Sequence, residues 1–171
     1  MVEVDKHVEL EFRLIEVLNG KMNLLQPPDE REDMVKIALA QVLENGEFPE
    51  LKLEFENEEK RIQFVSGFLS YGIITEILCD ANVEDIVINN IKPIYIQHSQ
   101  DGFIANEKHF PNQKAVHLFI RKMLLFSGKA AAGKIINLEL PNLEGRVNIA
   151  YSPFGPQITI TKAKVTPLSI V

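Results

Sequence analysis

The amino-acid sequence predicts an α+β protein, and two observations carry that prediction. Apolar residues recur at helical spacing through the first part of the chain, and the period becomes strand-like at Val83 and again after one further helix. Because the strand candidates follow one another over short turns, they favour an antiparallel sheet over a parallel βαβ arrangement. The 171 residues are 46% hydrophobic, which is enough for a packed core without disulfides.

Two helices are predicted at the start of the chain. The first runs from Asp5 to Leu18 and ends at Asn19-Gly20. Pro27-Pro28 prevents its continuation, and Asp29 is the predicted cap of the second helix, which stops at Asn45-Gly46. The predicted apolar face of the second helix consists of Met34, Ile37, Ala38 and Val42.

Residues 46–56 are predicted to form a linker or an edge segment, because they are rich in glutamate and contain Gly46 and Pro49. We therefore expect two domains: an acidic helical subdomain over residues 1–50, and an α+β domain over residues 57–171. Residues 1–60 contain 16 acidic and 7 basic residues, whereas residues 61–171 contain 8 acidic and 11 basic ones. An acidic leading part argues against nucleic-acid binding, which depends on lysine and arginine.

The second part is predicted to alternate between helices and strands. Asn57 caps a helix, and three strands with the sequences VEDIVIN, PIYIQH and GFIA form a meander. A helix over about Asn112 to Phe126 follows, and KIINLEL, GRVNIAY and PQITITK are the last three strands. The residues of this helix predicted to face inward are Val116, Phe119, Ile120, Met123 and Leu124.

No metal or catalytic site is predicted. The four histidines lack metal-ligand spacing, and no serine or carboxylate lies in a catalytic motif. The lone Cys79 excludes a disulfide framework, and its apolar neighbours predict a buried thiol. No apolar run is long enough for a membrane helix or a signal peptide, so we expect a cytoplasmic protein.

Residues 128–134 match the G-x-x-x-x-G-K part of a phosphate-binding loop. Ile135 occupies the place of the metal-holding Ser or Thr, and the loop is predicted to follow a helix and precede a strand, which reverses the usual order. We therefore expect a helix C-cap here, with no cofactor bound by this chain.

Strand alternation places Arg146 on a polar face of the predicted sheet. It shares a strand face with Asn148, and Thr159 and Thr161 take the matching face of the next strand, with Lys162 and Lys164 at the far end. Two interpretations stay open. The face is either solvated, or it presents a guanidinium to a phosphate.

Several ordered motifs in residues 57–171 resemble a known family. Residues 71–89 resemble G-x-L-x-x-L-L-x-D-x-x-V-x-D-I-x-V-N, residues 140–147 resemble L-P-x-G-x-R-V, and residues 155–162 resemble G-P-x-I-T-I-R-K. In this order they are similar to the N-terminal domain of the hexameric ATPases that drive type II and type IV secretion, type IV pili and the archaeal flagellum.

The resemblance implies a PAS-like antiparallel sheet domain with flanking helices, which covers the nucleotide held by a RecA-like motor domain. That motor domain would follow Val171 and supply the ATP and magnesium site. The family arginine of G-x-R-V maps onto Arg146. The second family arginine falls on Thr161, so Lys162 is the remaining matched cation.

The implied function is regulation and docking: transmitting nucleotide-driven motion within a parent ATPase while this part of the chain hydrolyses nothing itself. Implied partners are its own motor domain, neighbouring subunits of a hexamer, and a membrane platform or secretion-machinery protein at the cytoplasmic face. The alternative is a standalone PAS-like sensor or adaptor that binds a small ligand or a partner protein.

Overall fold

A computed structural model describes residues 5–130, 133–140 and 145–163. Within these ranges the chain folds into α-helices and a six-stranded antiparallel sheet, so the predicted α+β class is confirmed. The helices are α1 (Lys6–Leu18), α2 (Pro28–Glu44), α3 (Pro49–Glu54), α4 (Glu58–Leu69), α5 (Thr75–Cys79) and α6 (Gln113–Ser127), with a 3-10 turn over Gly72–Ile74. The strands are β1 (Val83–Asn89), β2 (Tyr95–His98), β3 (Gly102–Ala105), β4 (Ile135–Leu138), β5 (Gly145–Ser152) and β6 (Gly155–Lys162).

Side-chain caps begin three of the helices. Asp5 accepts from the backbone N–H of His7 and Val8, while Asn57 and Asn112 cap α4 and α6 in the same manner. The predicted cap at Asp29 is wrong, because α2 begins earlier, at Pro28. The proline ring already holds the backbone near helical φ at the first helical position, where no N–H is needed.

Two meanders build the sheet. Its strand order is β3-β2-β1-β6-β5-β4, so the first and last strands of the β region pair in the middle. The pairing of β1 with β6 sets Ile86 opposite Ile160 and Ile88 opposite Ile158. These residues are fully buried, and they join the two meanders into one apolar face.

Helix α6 covers that face of the sheet. All five residues predicted to point inward belong to the sheet core, which confirms the prediction for this stripe. The opposite side of α6 is buried as well: Leu118, Leu125 and Phe126 pack into a second core with α1, α2, α3 and α4. A helix that is apolar nearly all round is a buried helix, and α6 serves both cores.

The predicted linker over residues 46–56 is wrong, since this segment contains α3. Phe48, Leu51 and Phe55 are buried in the helical core. Their spacing of three and four residues is helical, and Pro49 occupies the first helical position, where proline is favoured. The division of the chain at residues 50 and 57 stays a prediction.

Two other residues predicted to be buried are exposed. Ile37 is 61% exposed, because α2 turns Arg31, Val35 and Leu39 toward the core instead. Cys79 is also exposed, as the last residue of α5, whose buried residue is Ile77.

Among the described residues, no single helix has the length and apolar composition needed to span a membrane. Glu58–Leu69 and Gly72–Cys79, bent by 76° at their junction, meet those two criteria only as a pair.

Polar contacts hold α6 to the helices around it. Arg31 is 6% exposed, and its guanidinium donates from Nη2 to the carbonyl oxygens of Asn23, at 2.7 Å, and Phe126, at 2.6 Å. Burial lowers the pKa of this guanidinium below its usual range. Arg31 thereby connects α2 and the loop before it to the carboxyl end of α6, where the helix dipole favours a cation.

Lysines on α6 pair with acidic residues on α1. Lys122 Nζ lies 3.3 Å from Glu11 Oε2, and Lys114 pairs with Glu9. Burial lowers the pKa of the Lys122 ammonium, and the Glu11 carboxylate opposes that shift. The acidic α1 is therefore held against α6 by charge as well as by apolar packing.

We predict that Arg31→Ala lowers the free energy of unfolding by about 2–4 kcal/mol, because it takes a donor from the buried Phe126 carbonyl oxygen and from the partly buried Asn23 carbonyl oxygen. Urea denaturation followed by circular dichroism measures the change. Arg146→Ala, which removes an exposed arginine from β5, is the matched control and should change stability by less than about 0.5 kcal/mol. Equal effects of the two substitutions would contradict the assigned role of Arg31.

Limited proteolysis of the chain should spare residues 49–55. The backbone there is helical, and Leu51 and Phe55 are 4% and 3% exposed, so a protease must unfold α3 before it can cut. Mass spectrometry of the first fragments identifies the early sites. A first cut within residues 49–55 would restore the interpretation of this segment as a linker.

Candidate functional site

The strand register gathers the polar residues around Arg146 on one face of the sheet. Arg146 pairs with Thr161, and Asn148 pairs with Thr159. Residues directly opposite each other in an antiparallel pair project to the same face, so these four side chains form one surface. Alternation within the two strands predicts this arrangement, and the register provides it.

This surface continues over the rest of the sheet, and we call it the open face. Asp85 on β1 lies next to Thr161, and Gln97 on β2 lies next to Asp85. At the β2–β3 side, Tyr95 and Phe103 stack with ring centroids 5.3 Å apart and planes 8° from parallel. All of these residues are half-buried or exposed, in contrast to the opposite, apolar face.

Arg146 is exposed and makes no hydrogen bond or ion pair with any residue in the described ranges. Its neighbour Val147 is fully buried, which fixes the strand beneath it. Asp85 lies two strands away in the same row, at about 10 Å by the usual strand spacing. A guanidinium placed in this way is available to an anion approaching from outside.

Gly145 sets the position of Arg146 against β6. A Cβ at residue 145 would lie 2.2 Å from the carbonyl oxygen of Thr161, a distance that no side chain tolerates. The close backbone approach therefore requires glycine immediately before Arg146.

Asn148 is held by a second amide beside it. Its Nδ2 donates to Asn137 Oδ1 on β4 at 2.9 Å, so one of its donors is already used within the sheet. Thr159 and Thr161 remain half-buried and exposed, respectively. Their hydroxyls can each donate one hydrogen bond.

The structure does not bring Lys162 to Arg146. Lys162 pairs with Gly145 and follows Thr161 by one residue, so its side chain leaves the other face of the sheet. There its Nζ donates to the carbonyl oxygen of Asp80 at 2.7 Å. Lys164 lies outside the described residues.

The predicted C-cap at Gly128 is confirmed. Gly128 has φ 70° and closes α6, and its N–H donates to the Leu125 carbonyl oxygen at 3.1 Å. A helix precedes the loop and β4 follows it, which is the reverse of the strand–loop–helix order of a phosphate-binding loop. Residues 131–132 of this loop lie outside the described ranges.

His98 and His117 have local roles. His98 Nδ1 accepts from the backbone N–H of Gln100 and Asp101, and the His117 ring stacks on Phe12. Within the part of the chain that the structure describes, no three His, Cys, Asp or Glu side chains are grouped to hold a metal ion.

Members of the open face that sequence reasoning missed include Asp85, Gln97, Tyr95 and Phe103. Because successive residues of a strand project to opposite faces, Asp85 in VEDIVIN lies on the face away from the buried Ile86. That β1 lies beside β6 depends on pairing between residues 68 to 76 positions apart, which no local pattern encodes.

No family model matches the chain, and no curated protein matches it. Among solved structures, the chain is similar to the VirB11 ATPase from the Brucella suis type IV secretion system, determined in complex with sulphate, at 15% identity and a TM-score of 0.44. The match covers 54% of this chain and 29% of that one, and so weak a likeness carries no functional argument.

We predict that the isolated chain has no magnesium-dependent ATPase activity. Residues 128–134 lack the metal-holding hydroxyl, and Gly128 is committed to the helix cap. Phosphate release by the purified chain should equal the protein-free rate, and Lys134→Ala should leave it unchanged. Hydrolysis that disappears in the Lys134→Ala variant would contradict the prediction.

Proposed function

We propose that this chain is the N-terminal regulatory and docking domain of a hexameric secretion or pilus ATPase. The ordered motifs of residues 57–171 support the proposal, as does the open face with Arg146 on it. In this proposal the open face lies over the nucleotide held by a motor domain, and the helical core and α6 support the sheet from behind.

The exposed Arg146 is the observation on which the proposal rests most heavily. A guanidinium offers several N–H donors in a fixed plane, which suits it to phosphate oxygens. A buried residue next to a contact residue limits the motion of the strand backbone. Val147, which directly follows Arg146, is fully buried. The backbone of Arg146 is therefore held in place by the sheet, while its side chain is exposed and can contact a ligand.

Arg146 acts in this proposal without a second cation. Thr161, its cross-strand neighbour, stands where the related motif has arginine, and Lys162 projects from the other face. Among the strand residues of the open face that the structure describes, Arg146 is the only cation. It therefore carries the charge stabilisation alone, and the nearby hydroxyl of Thr161 contributes a neutral hydrogen bond at most.

The chemistry assigned to this chain is electrostatic. A motor domain supplies the ATP and magnesium, and this chain adds a positive charge close to the phosphates when the two domains approach. Closure and opening of the open face would then couple the nucleotide state to the position of the helical core. That coupling is the regulatory part of the proposal.

The reading frame beyond Val171 provides the first test. We expect a strand followed by G-x-x-x-x-G-K-[ST] and a helix, which together form a phosphate-binding loop. Sequencing the locus is sufficient. A reading frame that closes without such a motif would overturn the proposal and favour the standalone sensor or adaptor.

Arg146→Ala in the full-length protein should lower ATP turnover by at least about 10-fold, since arginines that act fully on the phosphates contribute ~10³ or more. The substitution should leave the fold intact because the side chain is exposed. Steady-state turnover of the assembled protein measures the effect, and Arg61→Ala is the matched control with unchanged turnover expected. Unchanged turnover in folded, assembled Arg146→Ala protein would favour the solvated-face interpretation.

Thr161→Arg restores the second cation beside Arg146. We expect turnover to rise or stay equal in the wild-type background, and to recover in part when Thr161→Arg is combined with Arg146→Ala. A fall in turnover for the single variant would mean that Thr161 itself faces a contact that arginine obstructs.

A further inference from the structure

A cavity of about 470 Å³ opens between α1, the end of α4 and the first turns of α6. It lies where the helical core meets the sheet core, on the side of the sheet away from the open face. Its volume falls in the range of small-molecule sites, and most of its lining is apolar. The apolar residues that line it are Val8, Tyr71, Ile73, Phe110, Leu118 and Phe119.

A buried cation lines this apolar cavity. The Lys122 side chain is 9% exposed, and its Nζ lies 3.3 Å from Glu11 Oε2 and 3.4 Å from the Gly67 carbonyl oxygen. The Phe68 ring centroid is 5.2 Å from the same nitrogen. An ammonium has three N–H donors, so the two oxygen contacts leave one donor for a further acceptor.

The Lys122–Glu11 pair is not explained by stability alone. Burying an ion pair costs both groups their hydration, and apolar residues of the same size commonly serve a core equally well or better. A buried ammonium beside an apolar cavity is, however, what an anionic ligand with an apolar body requires, because such a ligand needs a cation at one end and apolar walls elsewhere.

The four charged side chains that line the cavity balance one another, with Lys114 and Lys122 against Asp5 and Glu11. Lys114 lines the cavity, and the first turn of α6 directs the positive end of the helix dipole toward it. The acidic residues are already engaged: Asp5 accepts two backbone N–H groups of α1, and Glu11 pairs with Lys122. Glu9, which lies near, pairs with Lys114.

We propose that this cavity binds a small carboxylate with an apolar body, whose carboxylate accepts a hydrogen bond from Lys122. The apolar body lies among the side chains of α1 and α6. This site is separate from the open face and does not depend on the proposed function. Because the ligand touches both α1 and α6, its binding also stabilises the packing of the helical core on the sheet core.

Octanoate and octan-1-ol form a matched pair of probes, since they share an apolar chain and differ in charge. Titration followed by amide chemical shifts should show saturable octanoate binding, with the largest changes in α1 and the first turns of α6. We expect octanoate to bind at least about 10-fold more tightly than octan-1-ol. Equal affinities, changes confined to other elements, or no saturation at millimolar octanoate would each overturn the proposal.

Two variants test whether octanoate occupies the cavity. Ala115→Leu, at a half-buried residue of the lining, should fill the cavity and weaken octanoate binding at least about 10-fold. Ala105→Leu makes the same change at an exposed site on β3 and should leave binding unaltered. Equal octanoate affinities of these two variants would overturn the proposal.

The double variant Lys122→Met with Glu11→Leu replaces the ion pair without leaving a lone buried charge. It should remove the preference for octanoate over octan-1-ol while octan-1-ol still binds. A preference that survives in the folded double variant would overturn the role of Lys122. Should the double variant fail to fold, the comparison of Ala115→Leu with Ala105→Leu decides the proposal.

Discussion

The burial of α6 on both of its sides is the constraint on which the rest of this structure depends. One stripe, which includes Phe119 and Met123, covers the apolar face of the sheet, while Leu125 and Phe126 complete the helical core. Neither core is closed without this helix, because the sheet and the first four helices each leave an apolar surface that needs a cover. The two parts of the chain are therefore joined through a shared element rather than connected by a linker.

Charge accounts for the orientation of the helical part on α6. The negative charge concentrated in residues 1–60 is used in part against α6, where Glu9 and Glu11 meet Lys114 and Lys122. At Arg31 the charges are reversed: this cation belongs to α2 in the acidic part of the chain, and it binds the carboxyl end of α6. Apolar burial provides most of the attraction, and these directed contacts restrict how α1 and α2 lie along α6.

Because α6 occupies one face of the sheet, the residues of the other face that the structure describes are left to solvent or to a partner. The central pairing of β1 with β6 makes this face continuous from the Tyr95–Phe103 stack to Arg146 and Asn148. The cavity with Lys122 lies on the covered side, so the two candidate sites are separated by the thickness of the sheet. A ligand in one need not obstruct a partner at the other.

By itself the sequence determined the α+β class, the β-strands, most helix limits and the shared face of Arg146 and Asn148, because periodicity and capping are local properties. Only the tertiary structure decided that α6 is buried on both sides and that Asp85 joins the open face. The pairing of β5 with β6 also separates Lys162 from Arg146. Arg146 pairs with Thr161, and Lys162, one residue further along, projects from the opposite face of the sheet. These features depend on contacts between distant parts of the chain, which are decided by the packing of whole elements and not by the residues next to them.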